Sequence, residues 1–226
     1  MAATGRDGRR RVALYGAGYL AQQVHHHLAA YCAQQLEVVG FIDDTKPAGE
    51  PVLAGLHTLG GLDAAIASPQ LAPGAIDIVF AIGYSNMRAR RAALDRVRAA
   101  GYALQGVVHP RAIVEPGAKV GEGSVVLGGA ILDQQVEIGV ACFIDIGVRL
   151  GAGTVIGDNN YLSSGTSTGS RVRIGDDSFF GMDVTITTDV QVGSRLFINA
   201  KSLVPRNMGS DIKLVEVHKS RELPLR

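Results

Sequence analysis

The sequence predicts an α/β domain over residues 1–108, a parallel β-helix over residues 109–205 and a C-terminal tail over residues 206–226. Two observations support this division. Apolar strands alternate with helical stretches in the first part, and a single six-residue period runs unbroken from Val114 to Val204. A fixed short period indicates a stacked repeat, and a period of six residues is typical of parallel β-helices.

The α/β domain is predicted from its apolar stretches and from the helical stretches between them. Strands that are apolar along almost their whole length indicate a parallel sheet covered on both faces, which is a Rossmann-like arrangement. The segment 46–70 is less regular, and we expect one short strand and one short helix there. The predicted strands are Arg11–Tyr15, Leu36–Ile42, Ala75–Ile82 and Tyr102–Val108, and the predicted helices are about Tyr19–Ala33 and Met87–Ala100.

A glycine-containing loop, Gly16-Ala17-Gly18-Tyr19-Leu20-Ala21, joins the first strand to the first helix. Such glycines let phosphate oxygens approach the backbone at a helix N-terminus, where the helix dipole favours anions. Asp43 and Asp44 end the second strand at a spacing that suits a ribose hydroxyl or a base edge. The same glycines also suit a tight turn needed only for packing, and the domain lacks the second half of a full dinucleotide site. The loop alone leaves both interpretations open.

The six-residue repeat places an apolar residue at every sixth position, with Thr168 as the exception. We expect each repeat to form one strand and one corner, with the large aliphatic side chain pointing inward and the glycine that often follows it allowing the backbone to turn. Three repeats close one triangular coil, so the repeats make about five coils spaced about 4.8 Å apart. The repeat positions are Val114, Val120, Val126, Leu132, Ile138, Ile144, Leu150, Ile156, Leu162, Thr168, Ile174, Phe180, Ile186, Val192, Ile198 and Val204.

The composition is that of an ordinary soluble protein, with 226 residues, 46% of them hydrophobic, and a formal net charge of +1. A near-neutral charge argues against a nucleic-acid partner and against binding to a membrane surface. No stretch is long enough to span a membrane, and the N-terminus does not resemble a signal peptide. Cys32 and Cys142 fall in different predicted domains, which suggests free thiols and a reducing compartment. We therefore expect a cytoplasmic protein without membrane insertion.

Nearly the whole chain resembles the bacterial sugar acyltransferases that join a Rossmann-like domain to a left-handed β-helix. These are the sialic-acid O-acetyltransferases and the N-acetyltransferases of nucleotide-linked 4-amino sugars. The resemblance implies left-handed coils, a homotrimer, a nucleotide-sugar substrate and a role in surface-glycan synthesis. It also implies that the acyl donor, acetyl-CoA or another acyl-CoA, lies between neighbouring β-helices. The segments that carry the resemblance are Tyr15-Gly16-Ala17-Gly18, Phe41-Ile42-Asp43-Asp44, Ala81-Ile82-Gly83 and the repeats.

The resemblance also assigns roles to individual residues. The loop from Gly16 to Leu20, including Gly18 and Tyr19, would hold the phosphates of the nucleotide. Asp43 and Asp44 would contact the nucleoside, while Gly83 and Tyr84 would lie beside the sugar. We expect Gly181 and Lys201, near the end of the β-helix, to contact the acyl donor.

The sequence departs from this family where the family keeps its catalytic base. The family has a histidine between two acidic residues, and the matching turn here is Gly151-Ala152-Gly153. A second family histidine corresponds to Tyr161, and there is no histidine between His109 and His218. That absence also removes the three-histidine zinc site of other relatives with this fold, so we expect no metal. The glycine-rich repeats and the Gly-x-Pro-Ala-Lys element that accompany CoA are missing as well.

In acyl transfer the attacking group must lose a proton, and a hydrogen-bond donor must stabilise the developing oxyanion. We predict that Asp145 supplies the missing function, either by accepting a hydrogen bond from the sugar or as a base with a pKa raised by desolvation. Asn160 and Tyr161, with Asn159, form an uncommon polar cluster that could line the new site. An exposed or hydrated corner is the ordinary alternative for each of these residues.

Three functions remain open. The first is an acyltransferase in which proximity of the two substrates carries much of the rate. The second is a nucleotide-sugar-binding or scaffold protein that has lost catalysis, and the third is a nicotinamide-dependent oxidoreductase, which would leave the repeats unexplained. Among the other residues, His25, His26 and His27 point about 100° apart along a helix and cannot share a metal. We expect His109 to serve the domain junction, Arg88 to face a phosphate or solvent, and His218 to lie beyond the β-helix.

Overall fold

The computed structural model describes residues 8–215. Its first part is a three-stranded parallel sheet in the order β2-β1-β5, with helices and a small hairpin around it. The elements are β1 Arg10–Tyr15, α1 Tyr19–Tyr31, β2 Leu36–Ile42, β3 Pro51–Leu53, β4 Leu56–His57, α2 Leu62–Ala67, β5 Asp77–Phe80, a 3-10 turn at Tyr84–Asn86, and α3 Met87–Ala99.

The predicted strands and helices up to Ala100 are confirmed within a few residues, but the predicted strand Tyr102–Val108 is wrong. Only Leu104 bridges to the sheet, opposite Ile78. Val107–Val108 instead pairs with Val125–Val126 as the first strand of the repeat region. The stretch does not form one strand because its two ends pair with different sheets. The segment 46–70 holds two short antiparallel strands and a helix, where we expected one strand and one helix.

The second part is a parallel β-solenoid of two-residue strands. The strands are β6 Val107–Val108, β7 Ile113–Val114, β8 Lys119–Val120, β9 Val125–Val126, β10 Ile131–Leu132, β11 Glu137–Ile138, β12 Phe143–Ile144, β13 Arg149–Leu150, β14 Val155–Ile156, β15 Tyr161–Leu162, β16 Ser167–Thr168, β17 Arg173–Ile174, β18 Phe179–Phe180, β19 Thr185–Ile186, β20 Gln191–Val192, β21 Phe197–Ile198, β22 Leu203–Val204 and β23 Lys213–Leu214.

Three sheets form the sides of the solenoid. Face 1 contains six strands (β7 to β22), face 2 contains five (β8 to β20) and face 3 contains seven (β6 to β23). Most strands pair with the strand one coil on, eighteen residues later, as Leu132 pairs with Leu150. The solenoid has about six coils, one more than expected, because Val107–Val108 and Lys213–Leu214 extend face 3 at its two ends.

The interior of the solenoid is the apolar column that the repeat predicts. Thirteen of the sixteen repeat positions are buried, and Val114 and Val120 of the first coil and Thr168 are less covered. The hydroxyl of Thr168 accepts a hydrogen bond from the backbone N–H of Gly151 at 3.1 Å and lies 3.2 Å from the hydroxyl of Thr154. The hydroxyl of Thr168, the one polar repeat residue, therefore has hydrogen-bond partners within the solenoid.

The glycines that follow the aliphatic residues do not provide the turn, so that part of the prediction is wrong. The backbone turns three residues after the aliphatic residue, with positive φ at Gly129, Ala141 and Asn159 among others. The following glycine is required because coils approach closely there. A Cβ atom added at Gly121 would lie 2.2 Å from the carbonyl oxygen of Gly139. We call the corner after face 2, with Gly121, Gly139, Gly157, Gly175 and Gly193, the glycine corner.

The α/β part packs on the outer side of face 3. Outward side chains of successive coils, among them Phe143, Tyr161 and Phe179, are buried in one cluster with Leu14 of β1 and Val24 of α1. Cys142 is buried, Cys32 is half-buried, and both are free thiols. None of the helices between residues 8 and 215 has the length and apolar character needed to cross a membrane. The packing on face 3 fixes the loops after β1, β2 and β5 beside the solenoid.

Candidate functional site

A cleft opens at the carboxyl ends of β1, β2 and β5. It has a volume of about 470 Å³ and is lined by the loop after β1, by Asp43–Thr45 after β2 and by Ala81–Gly83 after β5. We call it the loop cleft. Strand ends in a parallel sheet are the usual place for ligands in α/β proteins, so this position agrees with the predicted nucleotide site.

A second cleft continues from the first onto the solenoid. It has a volume of about 630 Å³, and we call it the solenoid cleft. The two clefts share Tyr19, Leu20, Gly83 and Ser85, so they adjoin one another. Its solenoid wall is the corner after face 3, which we call the cleft corner, and the lining residues from the solenoid are Asp145, Tyr161, Ser163, Ser164, Phe179, Gly181, Met182, Phe197, Asn199 and Ala200.

The loop after β1 exposes the start of α1 to the loop cleft. Gly16 has a φ of +115°, and a Cβ atom there would lie 2.8 Å from the carbonyl oxygen of Ala81, so only glycine fits without strain. Gly18 caps α1 without a side-chain hydrogen bond, and the first turn carries no acidic residue. The first-turn N–H groups of a helix have no partner within the helix and favour anions. The loop therefore has the features of a phosphate site.

Asp43 and Asp44 both line the loop cleft, and both already bind protein groups. Asp43 accepts hydrogen bonds from the N–H of Ala17 at 2.9 Å and from Thr45. Asp44 accepts them from the Tyr15 hydroxyl, the N–H of Leu62 and Arg96. Burial raises the pKa of Asp44, but these hydrogen bonds outweigh it and hold the pKa below its ordinary value. The pair thus fixes the glycine loop as well as facing the cleft.

Two tyrosines meet where the clefts join the solenoid. The Tyr84 ring stacks on Phe179 with centroids 4.2 Å apart and contacts the edge of Tyr161 at 4.9 Å. Tyr161 also stacks on Phe143 at 4.7 Å and is 5% exposed. Burial and the charge of Asp145 raise the pKa of Tyr161 above its ordinary value. At neutral pH this phenol is protonated, so it can donate a hydrogen bond but does not act as a base.

Asp145 lies on the wall of the solenoid cleft with a fixed orientation. Its Oδ1 accepts a hydrogen bond from the N–H of Ile146 at 2.7 Å, and its Oδ2 accepts one from the hydroxyl of Ser164 at 2.8 Å. Tyr19, which is 85% exposed, extends from the start of α1 along both clefts. The structure therefore brings Asp145, Tyr161, Tyr84 and Gly83 together, as expected for residues around one sugar.

Asn160 does not reach the cleft, which corrects its predicted catalytic role. Its side chain is fully buried inside the solenoid. The Nδ2 group donates to the carbonyl oxygens of Gly157 and Gly175, and Oδ1 accepts from the N–H of Ser178 at 2.9 Å. Both amide hydrogens and the amide oxygen bind backbone groups, two of them in the next coil, so Asn160 holds the coils together.

The two residues that we predicted to contact the acyl donor have different environments. Gly181 lines the solenoid cleft, and a Cβ atom there would lie 2.5 Å from the backbone nitrogen of Ala200. Lys201 is exposed with a φ of +61° and does not line either cleft. The Gly151-Ala152-Gly153 turn follows face 1, so it lies on a different corner from Asp145 and Tyr161.

Arg90 is a residue of the site that the sequence analysis missed. It is 1% exposed, and its guanidinium donates to the carbonyl oxygens of Ile82 and Ala141, both at 2.9 Å, and to Oδ1 of Asn159. Burial lowers the pKa of Arg90 to about 10, so it stays charged at neutral pH. Arg90 thus ties the Ile82–Gly83 loop to the glycine corner. Its position on the buried stripe of α3, with Leu94 and Val97, was the available signal.

A separate recess, the terminal groove, lies between the start of α3 and the last coils. It has a volume of about 600 Å³ and contains Arg88, so Arg88 does not face the loop cleft. Arg91 and Arg195 in this groove form ion pairs with Asp177 and Asp211, both at 2.6 Å. The groove shares Tyr84, Ser85 and Phe197 with the solenoid cleft.

Among the histidines, His109 is held by protein contacts. His109 is 5% exposed, its Nδ1 accepts a hydrogen bond from the N–H of Arg111 at 3.0 Å, and its ring lies 4.2 Å from that of Tyr31. This confirms its predicted place at the junction. Within residues 8–215 there is no group of three or more His, Cys, Asp or Glu residues that could hold a metal. His218 lies outside the described residues.

No protein-family model and no curated protein matches this chain. Solved structures do. The acetyltransferase domain of PglB from Neisseria gonorrhoeae, in complex with acetyl coenzyme A, is 26% identical with a TM-score of 0.79, and the alignment covers 91% of this chain and 96% of that chain. Perosamine N-acetyltransferase from Caulobacter crescentus, in complex with CoA and GDP-perosamine, is 23% identical with a TM-score of 0.78, covering 89% and 91%.

A third similar structure is WeeI from Acinetobacter baumannii, at 20% identity and a TM-score of 0.74, with 89% of this chain and 94% of that chain covered. At these identities the second and third similarities establish the fold alone. The structural neighbours of the chain are thus bacterial sugar N-acetyltransferases with a β-solenoid, and the similarity extends over both parts of the chain.

Proposed function

We propose that this protein transfers an acyl group, most simply acetyl, from a CoA thioester to an amino or hydroxyl group of a nucleotide-linked sugar in surface-glycan synthesis. The proposal rests on the stretch formed by the loop cleft and the adjoining solenoid cleft, which share Tyr19, Leu20, Gly83 and Ser85. One end has the features of a phosphate site, and the other end has aromatic rings, hydroxyls and a carboxylate suited to a sugar. The similarity to the PglB acetyltransferase domain, solved with acetyl coenzyme A, supports the same activity.

The nucleotide sugar would lie along this space. The N–H groups at Gly18 and Tyr19, beside Gly16, would bind the phosphates, and Asp43 and Asp44 would contact the nucleoside. The sugar would then lie between Gly83, Tyr84 and Tyr161, with its reacting group towards Asp145. This direction places the phosphates at the start of α1, where the helix dipole favours anions.

Asp145 and Tyr161 would divide the catalytic work. Asp145 would orient the attacking group and accept its proton, because a fixed carboxylate is the only acidic group of the solenoid cleft wall. Tyr161, protonated at neutral pH, would donate a hydrogen bond to the sugar or to the developing oxyanion. Gly181 and Lys201 remain our predicted contacts for the acyl donor.

The proposal includes the finer features that the family resemblance implies. These are left-handed coils, a Rossmann-like domain over residues 1–108, a β-helix over 109–205, a tail over 206–226, a homotrimer and a cytoplasmic location. Light scattering coupled to gel filtration measures the assembly directly. A mass of three chains of 23.7 kDa supports it, and a mass of one chain at micromolar concentration counts against it.

The activity is tested by incubating the protein with acetyl-CoA and a panel of GDP-, UDP- and dTDP-linked 4-amino sugars. Release of free thiol together with an acetylated sugar, identified by mass spectrometry, supports the proposal. One observation favours a second function, a nucleotide-sugar-binding protein without catalysis. The turn Gly151-Ala152-Gly153 stands where the family that the chain resembles has its histidine. Calorimetric binding of a nucleotide sugar without thiol release from acetyl-CoA would support that second function.

A further inference from the structure

We propose that Ser164 is a catalytic residue that carries the proton of the attacking sugar group to Asp145. This inference rests on the proposed function. Its basis is the hydrogen bond of 2.8 Å in which the Ser164 hydroxyl donates to Oδ2 of Asp145. The two residues lie on the cleft corner in adjacent coils, and both line the solenoid cleft together with Tyr84 and Tyr161.

The direction of this hydrogen bond defines what Ser164 can do. A serine hydroxyl has one proton and two lone pairs. Its single proton is committed to the carboxylate, so towards the cleft Ser164 presents an acceptor. An amino or hydroxyl group of a sugar in the cleft can donate to that lone pair, which orients its own lone pair for attack.

The carboxylate is held in the position that this relay requires. The N–H of Ile146 binds Oδ1 of Asp145 at 2.7 Å, which leaves Oδ2 for Ser164. Both residues are half-buried, so their interaction is partly shielded from water. Charge-assisted hydrogen bonds of this type are about twice as strong as neutral ones. The Ser164–Asp145 pair is therefore organised before a substrate binds.

The proton would pass from the sugar to Asp145 through Ser164. The nitrogen or oxygen of the sugar bonds to the thioester carbonyl carbon, and the carbon–sulfur bond breaks after the tetrahedral intermediate forms. The proton of the sugar group moves to the Ser164 oxygen while the Ser164 proton moves to Asp145. Asp145 then loses the proton to the leaving thiolate or to water. Ser164 and Asp145 end in their starting states, and CoA leaves as the thiol.

The test compares Ser164→Ala, which removes the hydroxyl, with Ser164→Thr, which keeps it. We expect threonine to fit here, because the larger and exposed side chains of Ile146 and Met182 occupy the equivalent position in the coils before and after. Ser167→Ala, in the same coil but outside both clefts, is the matched control. Its hydroxyl lies 3.4 Å from that of Thr185 on face 1.

We expect Ser164→Ala to lower kcat about tenfold or more with a smaller change in KM for the nucleotide sugar, as loss of a proton relay should. Ser164→Thr should stay within about threefold of the wild type, and Ser167→Ala should match it. The double variant Ser164→Ala with Asp145→Asn should be no slower than Asp145→Asn alone, because both act in one step. Additive losses, or a Ser164→Ala variant as fast as the wild type, would overturn the relay. No thiol release by the wild type with any sugar would instead overturn the proposed function.

Discussion

Two corners of the solenoid follow the same repeat and yet differ in composition. The glycine corner has glycine in five successive coils, Gly121 to Gly193, because a Cβ atom at each would collide with the next coil. The cleft corner has Leu127, Asp145, Ser163, Gly181 and Asn199 at the equivalent positions. The first corner repeats what packing requires, and the second varies where the solenoid meets the clefts. The corner after face 1 also varies, with Glu115, Asp133 and Gly151, and lines neither cleft, so variation alone does not mark the proposed site.

The largest effect should come from Gly121→Ala at the glycine corner. The added Cβ atom would lie 2.2 Å from the Gly139 carbonyl oxygen, which is backbone and cannot move aside. We expect a loss of about 3 kcal/mol in the free energy of unfolding, measured by urea denaturation. Gly209→Ala is the control, since no atom lies within 4 Å of its added Cβ atom. Equal stability of the two variants would show that close packing does not fix the glycine corner.

Arg90→Met should give the next largest effect, about 2 kcal/mol in unfolding free energy, because two buried acceptors and one partly buried acceptor would lose their donor. The Ile82–Gly83 loop would also lose its tie to the solenoid, so KM for the nucleotide sugar should rise. Arg91→Met on the same helix removes a partly exposed ion pair with Asp177 and should cost under about 1 kcal/mol. If both variants had the same KM and stability as the wild type, Arg90 would have no positioning role.

Asp145→Asn tests the cleft corner itself. The amide keeps the shape of the side chain and can still accept from Ile146, but it loses the charge and the ability to take a proton. We expect kcat to fall about tenfold, equivalent to about 1.4 kcal/mol, with thermal stability unchanged. The rate of thiol release under saturating substrates is the measurement, and an unchanged rate would remove Asp145 from the mechanism.

Asp43→Ala should produce the smallest effect. Loss of its hydrogen bond to Ala17 would loosen the glycine loop, and loss of the carboxylate would remove a predicted contact with the nucleoside. We expect nucleotide-sugar affinity to fall about fivefold, close to 1 kcal/mol, by calorimetry. Asp63→Ala is the control, because its side chain is 90% exposed and lies outside both clefts. The same affinity in both variants would count against the predicted nucleoside contact.

The repeat in the sequence predicted the solenoid interior almost residue by residue, because side-chain direction follows directly from the period. The same rule would have placed Asn160 inside, since it stands two positions before Leu162, as the buried Cys142 does before Ile144. We predicted that Asn160 lines the site because it is polar, although its position in the period places it inside the solenoid. The role of the glycines was also misassigned, because contact between coils depends on how tightly they stack, which the period does not contain.

Other features depend on contacts between distant parts of the chain. Val107–Val108 pairs with Val125–Val126 of the solenoid and not with the first sheet. The local sequence does not distinguish these two possible partners. The hydrogen bond between Ser164 and Asp145 joins residues nineteen positions apart, and it follows only from the stacking of adjacent coils. Arg90 reaches Asn159 across the boundary between the two parts. The sequence led us to predict Asp145 and Tyr84 as site residues, but it did not predict Ser164 and Arg90, which contact this region.

The most direct test of the account is the rate of thiol release from acetyl-CoA in the presence of nucleotide-linked 4-amino sugars, measured side by side for the wild type and Asp145→Asn. We expect thiol release matched by acetylated sugar for the wild type, and a rate about tenfold lower for the variant. A wild type that binds a nucleotide sugar but releases no thiol with any member of the panel would contradict it.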